Sequence, residues 1–439
     1  MPKEITQNLL AQFDKEYAKD PVAKVARRAL YGTDIADAAK VQEENAQLKN
    51  RFSIDIKTLP ATNQMQSGRC WIFSGLNTLR EPVAKELKLE NFEFSQNYTA
   101  FYDKLEKANF FMEAVIELKD RPWDDRTLNW VLRFPVGDGG QWDMLTAVIE
   151  KYGLVPKDVM PETYASSHTR SLGSLMNTRL RKFAVDVRKA ADKKEVNKLK
   201  ETCLKEIYSM LCTCFGVPPQ SFDFEYVDKD KKYHCDKGLT PKSFYEKYVH
   251  ADFSSLASLI NSPREETPFN EMFTVKFLGN VVGVPVSYLN VTIEEMKKAV
   301  IAQLKDGKVV WFGSDCGKFG DRKAGTWAPE NYDYESLFGV NFEISKEDSL
   351  YACQSAMNHA MVITGVNLDG KKATKWKIEN SWGEDVANKG YFVASDEWFD
   401  RYVYQAVVEK KYLPKKIAAA MTKKKIELEP WDPMGTLAD

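Results

Sequence analysis

The sequence predicts an α+β fold, in which helices come first, a mixed segment follows and antiparallel strands come last. Three observations support this order: helical apolar spacing in the first half, a capped helix followed by a strand in the middle, and a hairpin signal near the end. The chain has 439 residues, of which 44% are hydrophobic and 28% charged, as in ordinary globular proteins. Its net charge of −1 indicates no general attraction to nucleic acids or membranes.

Helices are expected in two regions before residue 90. In the opening 60 residues, one apolar stripe at helical spacing is formed by Leu9, Leu10, Phe13 and Tyr17, and a second runs from Val22 through Leu30. No linker follows this extension, so we expect it to pack on the main body. A further helix begins near Cys70, after Ser67-Gly68, and its apolar residues recur at helical spacing: Trp71, Ile72, Leu76 and Leu79. Pro82 is expected to bend or end it.

The middle of the chain, about residues 150–345, contains two further clear helices. One has a long apolar face, formed by Val196, Leu199, Cys203, Ile207, Met210, Leu211 and Cys214. The other spans residues 292–307, where Thr292 and Glu295 form a capping box and Gly307 is a stop signal. A strand at residues 309–313 follows directly.

The last part is predicted to be β structure. Residues 361–363 and 376–378 flank Asp369-Gly370, a hairpin signal, and residues 390–393 and 404–408 continue the sheet. The final 13 residues, 427–439, are too apolar for a solvated tail and too rich in proline for a helix. We therefore expect them to dock on the protein surface.

The sequence contains no membrane span, secretory signal, disulfide framework or zinc pattern, and these absences bear on its expected location and cofactors. No apolar run approaches the roughly 18 residues of a membrane span, and residues 1–7 are polar with no secretory signal after them. The seven cysteines are an odd number without a disulfide framework, so we expect reduced thiols in the cytoplasm. A metal site could be suspected at Cys212, Cys214, His234 and Cys235, but their spacing fits no common zinc pattern. We therefore expect these cysteines to be ordinary buried thiols. No metal or cofactor is expected.

Cys70 is the candidate nucleophile. A cysteine in the first turn of a helix lies at the positive end of the helix dipole, which favours thiolate. A thiolate that attacks a carbonyl also needs donors for the oxyanion that forms. The backbone N–H of Cys70 is one candidate donor, and the side-chain amide of Gln64, six residues upstream, is the other.

The base must be one of four histidines, at positions 168, 234, 250 and 359. His359 lies at the entry to a predicted strand, where the backbone holds an imidazole firmly. Asn380 follows 21 residues later, and its side-chain oxygen is expected to accept from His359 Nδ1–H and fix the tautomer. Trp382 would exclude water from that hydrogen bond. We expect the reactive form to be a Cys70 thiolate paired with a His359 imidazolium.

These residues resemble the signature segments of papain-like cysteine peptidases: Gln64, Cys70-Trp71, His359-Ala360 and Asn380-Ser381-Trp382-Gly383. Ser67 stands where secreted members have a disulfide cysteine, which agrees with a reducing compartment. His359 and Asn380 follow Cys70 by 289 and 310 residues, against about 130–150 in secreted members, so about 140–160 residues are inserted.

The insertions point to one branch, the bleomycin hydrolase and aminopeptidase C group. The likeness covers nearly the whole chain and includes Ser95-Gln96-Asn97-Tyr98, Asp138-Gly139-Gly140-Gln141-Trp142 and a terminal segment that begins at Trp431. It implies a papain-like core, with a helical left part and an antiparallel, barrel-like right part, carrying large helical and hairpin insertions. It also implies a homohexameric barrel whose active sites face inward.

The predicted division of the chain has five parts. They are an N-terminal extension packed on the core (1–60), the helical half with the nucleophile (61–150), an insertion region used in oligomerisation (151–350), the β half with His359 and Asn380 (351–412) and a C-terminal arm (413–439).

The resemblance also implies that the C-terminal arm lies in its own active-site cleft. A carboxylate at its end, on Ala438 or Asp439, would pair with a substrate's α-ammonium group and block longer substrates. Gly139 and Gly140 would offer their backbone to the substrate, since side chains there would obstruct its approach. Some family members trim themselves to the residue matching Ala438. The expected activity is therefore that of a cysteine aminopeptidase, which hydrolyses unblocked peptides through a thioester.

Three other functions remain open from the sequence. An endopeptidase on the same scaffold would result if the arm were displaced. A nucleic-acid-binding barrel with secondary peptidase activity is suggested by seven lysines within residues 410–425, although such a run is usually a solvated face. An acyltransferase would use the same cysteine and histidine. Cys316 and Cys353 are expected to have no catalytic role, although Cys353 could line the cleft.

Overall fold

The structure is a computed structural model that describes residues 4–45 and 48–438. Within these ranges, no helix is both long and apolar enough to cross a membrane. Two large apolar cores are present, one built on helices and the other on a sheet. Asp439 lies outside the described residues, so its predicted place near the substrate is not addressed by the structure.

The N-terminal extension is helical in its described part. Its elements are α1 (Gln7–Tyr17), α2 (Pro21–Ala29), α3 (Ile35–Ala39), α4 (Gln42–Asn45) and β1 (Ile54–Asp55). The helices α1 and α2 bury no residue, so the apolar stripe predicted for α1 faces solvent in the single chain. The extension is attached to the body through α2 and α3, which lie against the helix Tyr334–Phe338. Further on, Lys40 forms a β-bridge with Tyr332, and β1 pairs with the strand that begins at His359.

The helical half follows. Its elements are α5 (Cys70–Glu86), α6 (Gln96–Glu117), α7 (Arg126–Arg133), α8 (Trp142–Tyr152), α9 (Tyr164–Ser167), α10 (Arg170–Val187), α11 (Lys193–Phe215), α12 (Pro241–Tyr248) and a hairpin of β2 (Phe222–Val227) and β3 (Tyr233–Leu239). Pro82 lies inside α5 without ending it, because Val83 and Ala84 beyond it are buried in the core. The predicted face of α11 is confirmed at Val196, Cys203, Ile207 and Leu211, which are buried.

The sheet contains the remaining strands. They are β4 (Leu256–Ile260), β5 (Met272–Val275), β6 (Tyr288–Asn290), β7 (Val310–Ser314), β8 (Gly320–Asp321), β9 (Thr326–Trp327), β10 (His359–Asp369), β11 (Lys372–Glu379), β12 (Tyr391–Ser395), β13 (Val403–Glu409) and β14 (Ile426–Leu428). The accompanying helices are α13 (Ile293–Lys305), α14 (Tyr334–Phe338), α15 (Lys346–Tyr351), α16 (Asp396–Tyr402) and α17 (Lys415–Ala420), and a 3-10 helix spans Pro433–Ala438.

The strand order is β14-β5-β6-β4-β13-β7-β10-β11-β12-β9-β8, with β1 paired to β10. The central strands β13, β7, β10, β11 and β12 are antiparallel, as predicted. Three outer pairs are parallel, namely β4–β6, β5–β14 and β9–β12. The predicted hairpin at Asp369-Gly370 is confirmed as the β10–β11 turn, and the predicted capping box of Thr292 and Glu295 begins α13.

The two cores meet where α5 lies against β10 and β7. At this boundary the Trp311 indole donates to the carbonyl of Trp71 at 3.3 Å. The start of α5 and the start of β10 therefore lie at the same edge of the interface. These two chain positions carry Cys70 and His359.

Candidate active site

Cys70 is the first residue of α5 and is only 3% exposed. The loop before it is held by two contacts: Arg69 donates to both Glu162 oxygens at 3.0 and 2.9 Å, and Gly68 N–H donates to Asp138 Oδ2 at 2.9 Å. The backbone N–H of Ala360 lies 3.4 Å from Cys70 Sγ. Because Ala360 follows His359 directly, this contact brings the predicted nucleophile and the predicted base into one site.

His359 and Asn380 are joined by a hydrogen bond of 2.9 Å between His359 Nε2 and Asn380 Oδ1. The prediction that Asn380 accepts from Nδ1–H is therefore wrong. With Nε2 turned to Asn380, the neutral ring carries its proton there, and Nδ1 is the nitrogen left to accept a proton from a thiol. The half-buried Trp382 covers this pair, with its ring centre 5.2 Å from that of the imidazole.

Burial opposes charge on both residues of the predicted ion pair. It raises the pKa of the Cys70 thiol to about 11, against the stabilising N–H groups of Ala360 and Trp71. It also lowers the pKa of His359 to about 4, although the bond to Asn380 acts in the opposite direction. Burial thus disfavours each charge taken alone. A proton passed from the thiol to the imidazole creates both charges together, and they then attract each other.

Gln64 is buried and its amide group is fixed at both ends. Its Oε1 accepts from the Ser381 hydroxyl at 2.6 Å, and its Nε2 donates to the Ser67 carbonyl at 2.6 Å. A primary amide carries two N–H donors, so one remains for a further acceptor. This geometry suits a group that holds an oxyanion without having to reorient.

The two predicted glycines lie against the end of the chain. Gly140 N–H donates to the Leu437 carbonyl at 3.0 Å. A Cβ on Gly139 would come within 2.2 Å of that same carbonyl oxygen and 3.0 Å of Ala438 Cα. A Cβ on Gly140 would come within 2.5 Å of the Trp71 ring. Only glycine leaves room for both the neighbouring backbone and the indole ring.

The segment after residue 413 is fastened by side chains of the body. Arg264 donates to both oxygens of Asp432, at 2.9 and 2.8 Å, and both side chains are buried. Tyr288 OH donates to the Met434 carbonyl at 3.1 Å. Thr436 Oγ1 donates to the Met357 carbonyl, two residues before His359, at 2.7 Å. Residues 432–436 of the predicted arm are therefore fastened to the body.

Comparison with known proteins decides the family. A model of the Peptidase C1-like family matches residues 4–435. The chain belongs to the Peptidase C1-like family. It is 48% identical to Aminopeptidase C of Lactobacillus delbrueckii subsp. lactis, over all of this chain and 99% of that protein. It is 45% identical to Aminopeptidase C of Listeria innocua serovar 6a, over 100% of both chains.

A solved structure agrees with these relatives. The crystal structure of pepw from Lactobacillus rhamnosis HN001 (DR20) is 46% identical, with a TM-score of 0.97 over 99% of each chain. The predicted resemblance to the aminopeptidase C group of papain-like peptidases is thus confirmed, as is the mixed α and β fold class.

In this Peptidase C1-like chain, sequence reasoning missed a buried charged cluster beneath the glycines. Lys104 donates to Asp138 Oδ1 at 2.6 Å. Lys107 donates to Asp103 at 2.7 Å and to the Gly139 carbonyl at 2.5 Å. Burial alone would raise the pKa of Asp138, but Lys104, Thr169 and the Gly68 N–H together hold it below its usual range.

This cluster ties the loop before Cys70 to the glycine loop. Its link to the loop before Cys70 is the hydrogen bond from Gly68 N–H to Asp138 Oδ2. The available sequence signal was the run Asp103-Lys104 followed by Lys107 among the apolar residues of α6, since charged side chains on the buried side of a helix need partners.

All seven cysteines are unpaired. Of the six besides Cys70, Cys353 is exposed and Cys316 is half-buried. His234 pairs with Asp228 at 2.8 Å. In the part of the chain that the structure describes, no group of three or more His, Cys, Asp or Glu side chains is arranged to hold a metal ion.

Proposed function

We propose that this chain removes single N-terminal residues from unblocked peptides through a thioester on Cys70. The observation that carries the proposal is the hydrogen bond from Gly140 N–H to the Leu437 carbonyl. A peptide bound beside Cys70 would use the same backbone donor, so the chain's own end occupies a position that a longer substrate would need. Between that position and the Cys70 thiol, room is left only for the N-terminal part of a substrate.

The family and the full-length relatives named Aminopeptidase C support the enzyme class. The chain is a cysteine-type aminopeptidase. What goes beyond this class is the assignment of individual residues and the role of the arm.

The first chemical step is attack by Cys70 on the carbonyl carbon of the first residue. His359 Nδ1 takes the thiol proton, and the resulting thiolate is stabilised by the Ala360 N–H and the start of α5. Its sulfur then attacks the carbonyl carbon, and the negative charge passes to the carbonyl oxygen. The oxyanion is held by the Cys70 N–H and the free N–H of Gln64 Nε2. Ser381 keeps that amide oriented by donating to its oxygen.

The second step releases the amine and then the acid. The His359 imidazolium gives its proton to the leaving nitrogen, the C–N bond breaks and a thioester remains on Cys70. Water then attacks the thioester with His359 as base, which restores the thiol. Asn380 holds the ring through Nε2 in both steps and disfavours the other tautomer.

Selection for free N-termini follows from the docked arm. Leu437 is almost fully buried, so a substrate that continues past its first residue would have to displace it. A carboxylate near Ala438 would in addition pair with the α-ammonium group of an unblocked peptide. Both effects disfavour a blocked N-terminus, because it carries no positive charge and its blocking group would need the space that the arm occupies.

The test compares two reporters that differ only in the N-terminus, alanine p-nitroanilide and its N-acetylated form. We expect hydrolysis of the first and at least about 100-fold slower hydrolysis of the second, as a charged hydrogen bond and a steric clash would together produce. Cys70→Ala should abolish activity, whereas the matched Cys353→Ala, at an exposed cysteine, should not. Equal cleavage of both reporters would favour the endopeptidase alternative, and aminolysis products would favour the acyltransferase.

We also propose a cytoplasmic homohexamer. Seven unpaired cysteines suit a reducing compartment. The exposed apolar residues of α1 and α2, including Leu10, Phe13, Val22 and Val25, suit a surface covered by another copy. Sedimentation should give a mass near six chains. A monomer at micromolar concentration would contradict this assembly.

The nucleic-acid alternative receives less support. Lys411 pairs with Asp306 at 2.9 Å and Lys423 with Glu271 at 2.5 Å, so part of the lysine run is already neutralised. Binding to DNA that weakens steeply with salt would revive it.

A further inference from the structure

The leaving-group side of the site can be located from two contacts. Leu437 lies at Gly140, which marks the side occupied by the acyl part of a substrate. His359 must reach the leaving nitrogen, so the residue that follows the cut bond lies on the imidazole side. There the Trp382 ring stands 5.2 Å from the imidazole, centre to centre. The departing part of a peptide therefore passes along the Trp382 ring.

A cation lies on that same ring. Arg322 is exposed, in the turn between β8 and β9, and its guanidinium carbon is 4.9 Å from the centre of the Trp382 ring. The two distances place the guanidinium at most about 10 Å from the imidazole, roughly the span of three extended residues. Among the side chains that the structure describes, in residues 4–43 and 48–438, no carboxylate pairs with Arg322.

The turn that carries Arg322 is well fixed. Asp321 Oδ1 accepts from the N–H groups of Lys323 and Ala324, at 2.9 and 2.8 Å. Its Oδ2 is taken by the Lys40 ammonium group of the N-terminal extension. Because both oxygens of Asp321 are engaged, the neighbouring carboxylate does not neutralise Arg322. The N-terminal extension thus braces the turn and leaves this guanidinium available.

We propose that Arg322 is a specificity residue that binds a carboxylate of the leaving group. In a dipeptide this is the C-terminal carboxylate of the second residue, and in a longer peptide an acidic side chain at that position offers the same chemistry. A guanidinium held over an aromatic face keeps the N–H groups at its edge free for bidentate contact with a carboxylate. The inference rests on the proposed aminopeptidase function, since it requires Cys70 to cleave the first peptide bond.

The experiment uses the full-length protein and three matched substrates. They are alanyl-alanine, alanyl-alanine amide and alanyl-glutamic acid α-amide, which carry a terminal carboxylate, no carboxylate and a side-chain carboxylate. Alanine p-nitroanilide reports the reaction without a peptide leaving group. The readout is the ratio of kcat/KM for each acidic substrate to that for alanyl-alanine amide, measured in the wild type, Arg322→Gln and Lys323→Gln.

We expect Arg322→Gln to lower at least one ratio by about three- to tenfold, the range between exposed and well-formed charged contacts. The change should appear mainly in KM. Lys323→Gln removes an exposed charge from the same turn and should leave both ratios unchanged. Which acidic substrate responds identifies the source of the carboxylate.

Two results would overturn the role of Arg322 but not the proposed function. One is a kcat/KM ratio that does not change in Arg322→Gln, and the other is an equal fall in Lys323→Gln, which would indicate a general charge effect. In both cases the hydrolysis of alanine p-nitroanilide would be normal. A wild type that hydrolyses none of the four substrates would instead refute the proposed function, and the inference with it.

Discussion

Breaking the buried ion pair that holds the arm should change which substrates the enzyme accepts. Arg264 and Asp432 have side-chain exposures of only 6% and 8%, and Arg264 contacts both oxygens of its partner. Arg264→Met removes the cation but keeps an apolar stem of similar length. Asp432 is then left buried without its partner, and it can regain water only if the arm leaves the cleft.

The magnitude follows from that unpaired charge. Removing one partner of a buried pair costs about 3–5 kcal/mol, which corresponds to about 10²- to 4 × 10³-fold in an equilibrium. We expect the released arm to become more populated by up to this factor. Cleavage of the N-acetylated reporter should rise relative to the unblocked one, and trypsin should cut more rapidly near residues 423–425.

Two control variants separate this reasoning from general destabilisation. Arg126→Met removes an exposed guanidinium that stacks on Trp431 at 3.7 Å, and it should shift the reporter ratio less than about fivefold, since an exposed cation–π contact contributes about 0.5–1 kcal/mol. Arg264→Met combined with Asp432→Leu leaves no unpaired charge and should largely restore the wild-type ratio. An Arg264→Met variant with wild-type ratio and wild-type trypsin resistance would refute the reasoning.

Three further predictions concern the site. Gln64→Ala should lower kcat about 10²–10³-fold, because one oxyanion donor is lost, while thermal unfolding shows that the fold persists; a loss below tenfold would remove Gln64 from the mechanism. Asp138→Asn should destabilise the protein by about 3–5 kcal/mol, since Lys104 keeps a buried charge, and Lys104→Met combined with it should recover part of that loss in denaturant unfolding. His359 has a folded pKa of about 4, below its unfolded value, so the stability it contributes is complete above about pH 6.5 and is lost as the pH falls towards 4. This loss is about 3 kcal/mol, and His359→Gln should flatten the acid limb of the stability curve; an unchanged limb would indicate that the folded ring is already charged.

Local patterns predicted the local structure well. The capping residues Thr292 and Glu295 begin α13, and Asp369-Gly370 forms the β10–β11 turn, because each signal acts within a few residues. By contrast, the contact between Cys70 and Ala360 joins residues that are 290 positions apart in the sequence. It was predictable only because the motif segments themselves resemble a known family.

Other features depend on contacts that no local pattern encodes. The bond of Asn380 to Nε2 instead of Nδ1 is set by rotation of the imidazole ring, which depends on packing around it. The partner of Asp432 is Arg264, 168 residues away. The apolar stripe of α1 was correctly read as a helix, but periodicity does not say whether a stripe is covered by the same chain or by another molecule.

The most direct test of the account is a truncation. A chain that lacks residues 436–439 keeps the Arg264–Asp432 pair and the buried Met434 but loses Leu437 from Gly140. Mass spectrometry would first establish the C-terminus of the intact protein. Cleavage of one peptide in unblocked and N-acetylated forms is then compared in both proteins. The account predicts that the intact protein cleaves only the unblocked peptide and that the truncated protein gains cleavage of the acetylated one. Unchanged selectivity after truncation would contradict it.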